Sequence, residues 1–173
     1  MSECPPGYSF CICRAGWKTW RIFSSLLMEG MTPEQAFSFF EDPRNLFTIT
    51  PPWMDFRMLD PDRSKTGEGA EFDYTIRWLG IRIHWKSRLV NYHPPKEFTD
   101  IQLSGPYLRW EHRHSFENRD KGTLMRDEVD YVLPAVAVPL HPLLIRRQLG
   151  NIFRYRAMRI EEWARGALVY RQP

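Results

Sequence analysis

Two patterns that are rarely found together constrain this chain most. A long run of alternating apolar and polar residues fills positions 53–134, and a single amphipathic helix follows it. Phe72, Tyr74, Ile76 and Trp78 alternate with Asp73, Thr75 and Arg77. After Gly80, the series Ile81, Ile83, Trp85, Ser87 and Leu89 is opposed by Arg82, His84, Lys86 and Arg88. Such a period of two makes strands with one buried face. Further strands are expected at 56–59, 97–103, 107–117 and 123–133, with turns at Pro94-Pro95, Gly105-Pro106 and 118–122. Connections this short join antiparallel neighbours, so the run is a meander.

Residues 144–164 then carry Ile145, Leu149, Ile152, Phe153, Ile160 and Trp163 at helical spacing, a helix of about 30 Å. Upstream, residues 18–28 form a first strand, with Trp20, Ile22, Ser24 and Leu26 on one face. Thr32-Pro33-Glu34-Gln35 has the form of a capping box. It opens a short helix through Phe37, Phe39 and Phe40, which Asp42-Pro43 closes, and a second short helix spans 44–48. The expected class is α+β, a curved antiparallel sheet of about six to seven strands wrapped around the long C-terminal helix. A sheet of that size twists, and only the last helix is large enough to cover its concave face.

These elements make one domain over residues 17–166, with 1–16 as a disordered N-terminal tail and 167–173 as a C-terminal tail. Cys4, Cys11 and Cys13 all fall in the first stretch, so they are no disulfide framework. Cys11-Ile12-Cys13 also lacks the spacing of a zinc or redox pair. Residues 1–14 have no sustained apolar core of a signal peptide, and no run approaches a membrane span. The expected location is cytoplasmic. Lys and Arg (24) nearly balance Asp and Glu (21) and are interleaved with them, which argues against a nucleic-acid partner. Arg146, Arg147, Arg154, Arg156, Arg159 and Arg165 read as a solvated helix face, with weak contact to an anionic membrane surface as a minor alternative.

The inner face of the sheet carries the chemistry. In 107–117, Trp110, His112, His114 and Phe116 share the face opposite Arg109, Glu111, Arg113 and Glu117, so two imidazoles point inward about 7 Å apart. Asp127 and Tyr131 share the inner parity of the next strand, and Phe98, Asp100 and Gln102 that of the strand before. Phe72, Tyr74, Trp85 and Phe153 supply apolar area, in keeping with an aromatic content of 14%. The polar residues of this set require partners. They pair with one another, orient a ligand in an apolar pocket, or act as an acid–base pair of histidine and Asp127. A metal needs at least three convergent donors, and Glu117 has the wrong parity, so no metal and no cofactor are expected. Neither a phosphate-cradling glycine loop nor an activated nucleophile motif is present in the sequence.

Several motifs add a resemblance to this reading. They are Asn45-Leu46 with Ile49-Thr50-Pro51, Trp85, Phe98-x-Asp100, Gly105-Pro106-Tyr107 and Trp110-x-His112-x-His114-x-Phe116. Gly122-Thr123, Asp127, Tyr131 with Pro134, and Phe153-x-Tyr155-Arg156 complete the set. With the order of elements, they resemble the SRPBCC superfamily of START and birch-pollen-allergen-like proteins, and within it the bacterial polyketide cyclase/dehydrase-like group. The resemblance implies a helix-grip fold with a cavity between sheet and C-terminal helix. It also implies a small hydrophobic or amphipathic ligand of lipid, polyketide or aromatic type. A cyclase or dehydratase enzyme, or an interaction protein whose cavity is filled by its own side chains, are the alternatives.

Overall fold

A computed structural model describes residues 7–60, 66–78 and 80–166. After β1 (Ser9–Arg14) and β2 (Thr19–Glu29) come α1 (Pro33–Glu41) and α2 (Leu46–Ile49). The strands β3 (Arg57–Met58), β4 (Glu71–Trp78), β5 (Ile81–His93), β6 (Glu97–Ser104), β7 (Arg109–Arg119) and β8 (Gly122–Val132) follow. Two short helical turns at Ala135–Leu140 and His141–Ile145 lead into α3 (Arg146–Ala164). All strands lie in one antiparallel sheet in the order β1-β2-β8-β7-β6-β5-β4-β3.

The sheet therefore has eight strands, not six or seven, and the extra one lies within the supposed disordered tail. β1 pairs with β2 along its whole length, from Ser9 opposite Ser25 to Arg14 opposite Trp20. As an edge strand it buries only Ile12, so its alternation is too faint to read. Its Phe10 nevertheless reaches α3, with its ring 5.8 Å from that of Phe153. The ordered domain thus begins well before residue 17, and Cys11 and Cys13 are exposed strand residues. Residues 1–6 and the expected C-terminal tail at 167–173 lie outside the described residues.

The rest follows the sequence closely. Ile22, Ser24, Leu26 and Met28 of β2 are buried, and β8 alternates without a break. The outer face carries the charge pairs that its polarity demands, such as Arg113 with Glu97 and His84 with Asp73. Gln35 N–H donates to Thr32 Oγ1 at 3.3 Å, and Thr32 N–H donates to Gln35 Oε1 at 2.9 Å, closing the capping box. A Thr32→Ala variant is expected to lose about 1 kcal/mol, lowering Tm by about 2–4 °C in a thermal melt. Among the described residues no helix is long and apolar enough to cross a membrane.

The crossover from β8 to α3 is anchored by a histidine. His141 is 1% exposed; its Nε2 lies 2.7 Å from the Tyr131 hydroxyl, and its ring stacks on Trp20 at 3.7 Å. That anchor sets where α3 begins and hence which of its residues face the concave side of the sheet.

Candidate functional site

Leu149 and Phe153 are the buried residues of α3 that face the middle of the sheet, and a cavity of about 130 Å³ lies beside them. Tyr74, Trp85, Tyr107 and Trp110 line it from the sheet side. Thr50, Pro51 and Met54 close it from the segment after α2. Trp85 meets Trp110 edge-on at 5.5 Å, and Tyr107 lies 4.7 Å from Trp110, so the apolar wall is mostly aromatic.

One end of this cavity is polar. Strand pairing puts Asp100 opposite His112 and His114 opposite Asp127, so residues of three adjacent strands meet. His112, His114 and Asp127 are 7%, 5% and 3% exposed. His112 Nε2 makes a 2.9 Å hydrogen bond to Asp127 Oδ1. His114 Nδ1 lies 2.8 Å from the same oxygen but off the hydrogen-bond axis, so that nitrogen has no hydrogen-bond partner. The two imidazoles are 3.9 Å apart, and Phe98 stacks on His114 at 4.6 Å.

The electrostatics follow from burial. Burial, with His114 alongside, pushes His112 down to about 3 against the pull of Asp127, so His112 is a neutral imidazole. Burial alone would raise the Asp127 carboxyl, but the neighbouring His112 and His114 outweigh it and hold Asp127 ionised. Asp100 has less support: burial pushes it up to about 6, opposed by His114 and Ser87. Arg156 enters from α3, and burial lowers its pKa while Asp127, Tyr74 and Asp100 oppose the shift. Its Nε is fully buried and has no hydrogen-bond partner among the described residues.

The residues expected at the site divide into three groups. Tyr74, Trp85, Asp100, Trp110, His112, His114 and Phe153 line the cavity, and Asp127 holds the histidines from behind. Phe72, Phe98 and Phe116 are core, the last two packed around Phe37 of α1. Tyr131 is fully buried and spends its hydroxyl on His141. Gln102 is not in the cavity wall either: its Nε2 donates to Tyr107 O at 2.7 Å and braces the turn between β6 and β7.

Arg156 is the cavity residue the sequence reading passed over, having placed it on the solvated face of the helix. Its position seven after Leu149 and three after Phe153 puts it on the buried stripe, and that spacing was the available signal.

Comparison with known proteins agrees with this architecture. No curated protein is significantly similar to the chain in sequence. Among solved structures, the Zhui aromatase/cyclase from Streptomyces sp. R1128 superposes with a TM-score of 0.65. It is 15% identical over 86% of this chain and 98% of its own. Major latex-like protein 151 from Panax ginseng gives 0.65 at 12% identity, covering 86% and 99% of the two chains. A START superfamily protein from Mycobacterium smegmatis gives 0.60 at 14%, covering 86% and 99%. At these identities the likeness establishes the fold, a helix-grip arrangement of sheet and C-terminal helix. The sequence profile described as "Polyketide cyclase / dehydrase and lipid transport" matches residues 30–159, about three quarters of the chain. The chain belongs to the polyketide cyclase/dehydrase and lipid transport family.

Proposed function

We propose that this protein binds a small amphipathic molecule in the cavity between sheet and α3. The observation that carries the reading is a cavity with aromatic walls and one polar end, where the Arg156 Nε–H and the His114 Nδ1 both lack partners. A buried polar group without a partner costs about 1–3 kcal/mol, and a ligand that supplies one recovers it. The arrangement is that of small-molecule sites in general, apolar lining with a few convergent polar groups. Volume narrows the ligand class: a cavity of roughly 150 Å³ admits benzene, so about 130 Å³ suits a single ring or short branched chain. An aromatic or short acyl body bearing a polar or anionic group fits better than a multi-ring polyketide or a long acyl chain.

Native mass spectrometry of gently purified protein, followed by thermal melts with single-ring aromatic acids, tests this. At about 100 times Kd a bound ligand adds roughly 2.7 kcal/mol, a rise of about 5–10 °C. Arg156→Met should remove the preference for the acid over its neutral amide. A protein that no member of the panel stabilises overturns the reading.

A second reading is an acid–base enzyme of the cyclase or dehydratase type. The observation that favours it is His112, a neutral imidazole in the cavity wall oriented by a buried carboxylate 2.9 Å away. It predicts that His112→Gln abolishes turnover of a bound ligand without loosening binding.

A further inference from the structure

We propose that His112, His114 and Asp127 form a site for a divalent transition-metal ion, with its open coordination positions facing the cavity. The inference rests on donor geometry; it shares only His114 Nδ1 with the ligand reading above, which Arg156 Nε–H carries without it. One donor atom from each residue lies within 4.8 Å of the others, and all three residues are buried. Two imidazoles and one carboxylate are a donor set that suits iron, manganese, cobalt or zinc.

The position of His114 distinguishes this cluster from an ordinary hydrogen-bond network. Its Nδ1 lies 2.8 Å from Asp127 Oδ1 without the alignment for an N–H to point at that oxygen. A bare lone pair so close to a carboxylate is repelled, and only positive charge between the two offsets that. A proton must lie near the N···O line, which this geometry disfavours. A metal ion need not: bonded to both atoms at about 2.1 Å, it sits well off the line and subtends roughly a right angle. Separations of 2.8 and 2.9 Å from Asp127 Oδ1 to the two nitrogens are those of adjacent ligands on one ion. Small side-chain rotations bring the two imidazole nitrogens into the same shell.

The surroundings are compatible with such an ion. A neutral imidazole at His112 offers Nε2 to an ion when its ring proton sits on Nδ1. Asp100, opposite His112 on β6, has a fully buried Oδ1 with no hydrogen-bond partner and places a second carboxylate beside the cluster. The two carboxylates offset the charge of the ion. Because His112 and His114 themselves line the cavity, the remaining coordination positions point toward any bound molecule.

Cobalt(II) is the probe of choice, since its visible spectrum reports the number and type of ligands. Chelator-treated, tag-free protein should bind one Co(II) per chain, measured by spectral titration and confirmed by elemental analysis after dialysis. His114→Gln and Asp127→Asn should each weaken binding by more than about tenfold, since even outer-shell changes cost that much. His84→Gln, at the exposed pair with Asp73, should leave it unchanged. Should the buried variants fail to fold, paramagnetic shifts of the His112 and His114 ring protons in the intact protein decide the same question. Absence of stoichiometric binding, or binding that moves with His84 or leaves those rings unshifted, overturns the proposal.

Discussion

Replacing Gly122 by alanine is expected to cost more than about 3 kcal/mol and to lower Tm by about 6–12 °C. Gly122 opens β8, where it pairs with Glu29 of β2 on one side and Arg119 of β7 on the other. Its φ of +148° is one that residues with a side chain rarely adopt. A Cβ there would overlap the Met28 carbonyl oxygen and lie 2.9 Å from Gly30 N and 3.0 Å from Glu29 Cα. Every one of those atoms is backbone, so no rotamer change relieves the clash. β2 and β8 must part, at the corner where Gly30 N–H donates to Lys121 O and Thr123 Oγ1 donates to Met31 O. Gly69 is the control, since its φ is +78° but nothing lies within 4 Å of an added Cβ. Gly69→Ala should therefore cost only the backbone term, about 1–2 kcal/mol. Equal losses in the two variants would mean that conformational strain, not the closure of β2 onto β8, sets the effect.

How far the sequence reveals this molecule depends on how local each feature is. β4, β5, β7 and β8 were legible because a period of two needs only its own strand, and here most outward positions are polar. The same parity placed His112, His114 and Asp127 inside before any contact was known. β1 was not legible, because an edge strand with one buried residue carries almost no period. Gln102 had inward parity, but the turn at Gly105 lets its amide serve the Tyr107 backbone, and parity says nothing of that. Arg156 shows the reverse error. A cation on a helix is normally solvated, but this helix is gripped on one side by the sheet and covered near Arg156 by the 50–54 segment. That cover comes from residues about a hundred positions away, beyond the reach of a periodic pattern. Parity alone also does not show that Asp127 lies across the ladder from His114, close enough to make a three-donor cluster with His112.

Phe153→Ala should convert the cavity from one that takes a single ring to one that takes two. Phe153 is 3% exposed, lines the cavity, and stands between Phe10 of β1 and His112 of β7, 5.8 and 5.9 Å from their rings. Truncating a buried phenylalanine costs about 3–5 kcal/mol, part of it for the void left behind. Here the void, of the order of 100 Å³, opens into the existing cavity instead of forming a closed pocket. A molecule that fills both should then recover part of the loss, as ligands do in engineered apolar cavities. The expected result is a crossing of preferences in thermal melts. Single-ring acids stabilise the native protein more, whereas their two-ring analogues stabilise the variant and leave the native protein unmoved. Such a crossing ties ligand size to the α3 residue that sheet and helix squeeze between them, and places the bound ring next to His112. A variant that loses stability but gains no two-ring preference would show that Phe153 only packs the core. The ligand would then have to be sought elsewhere than against α3.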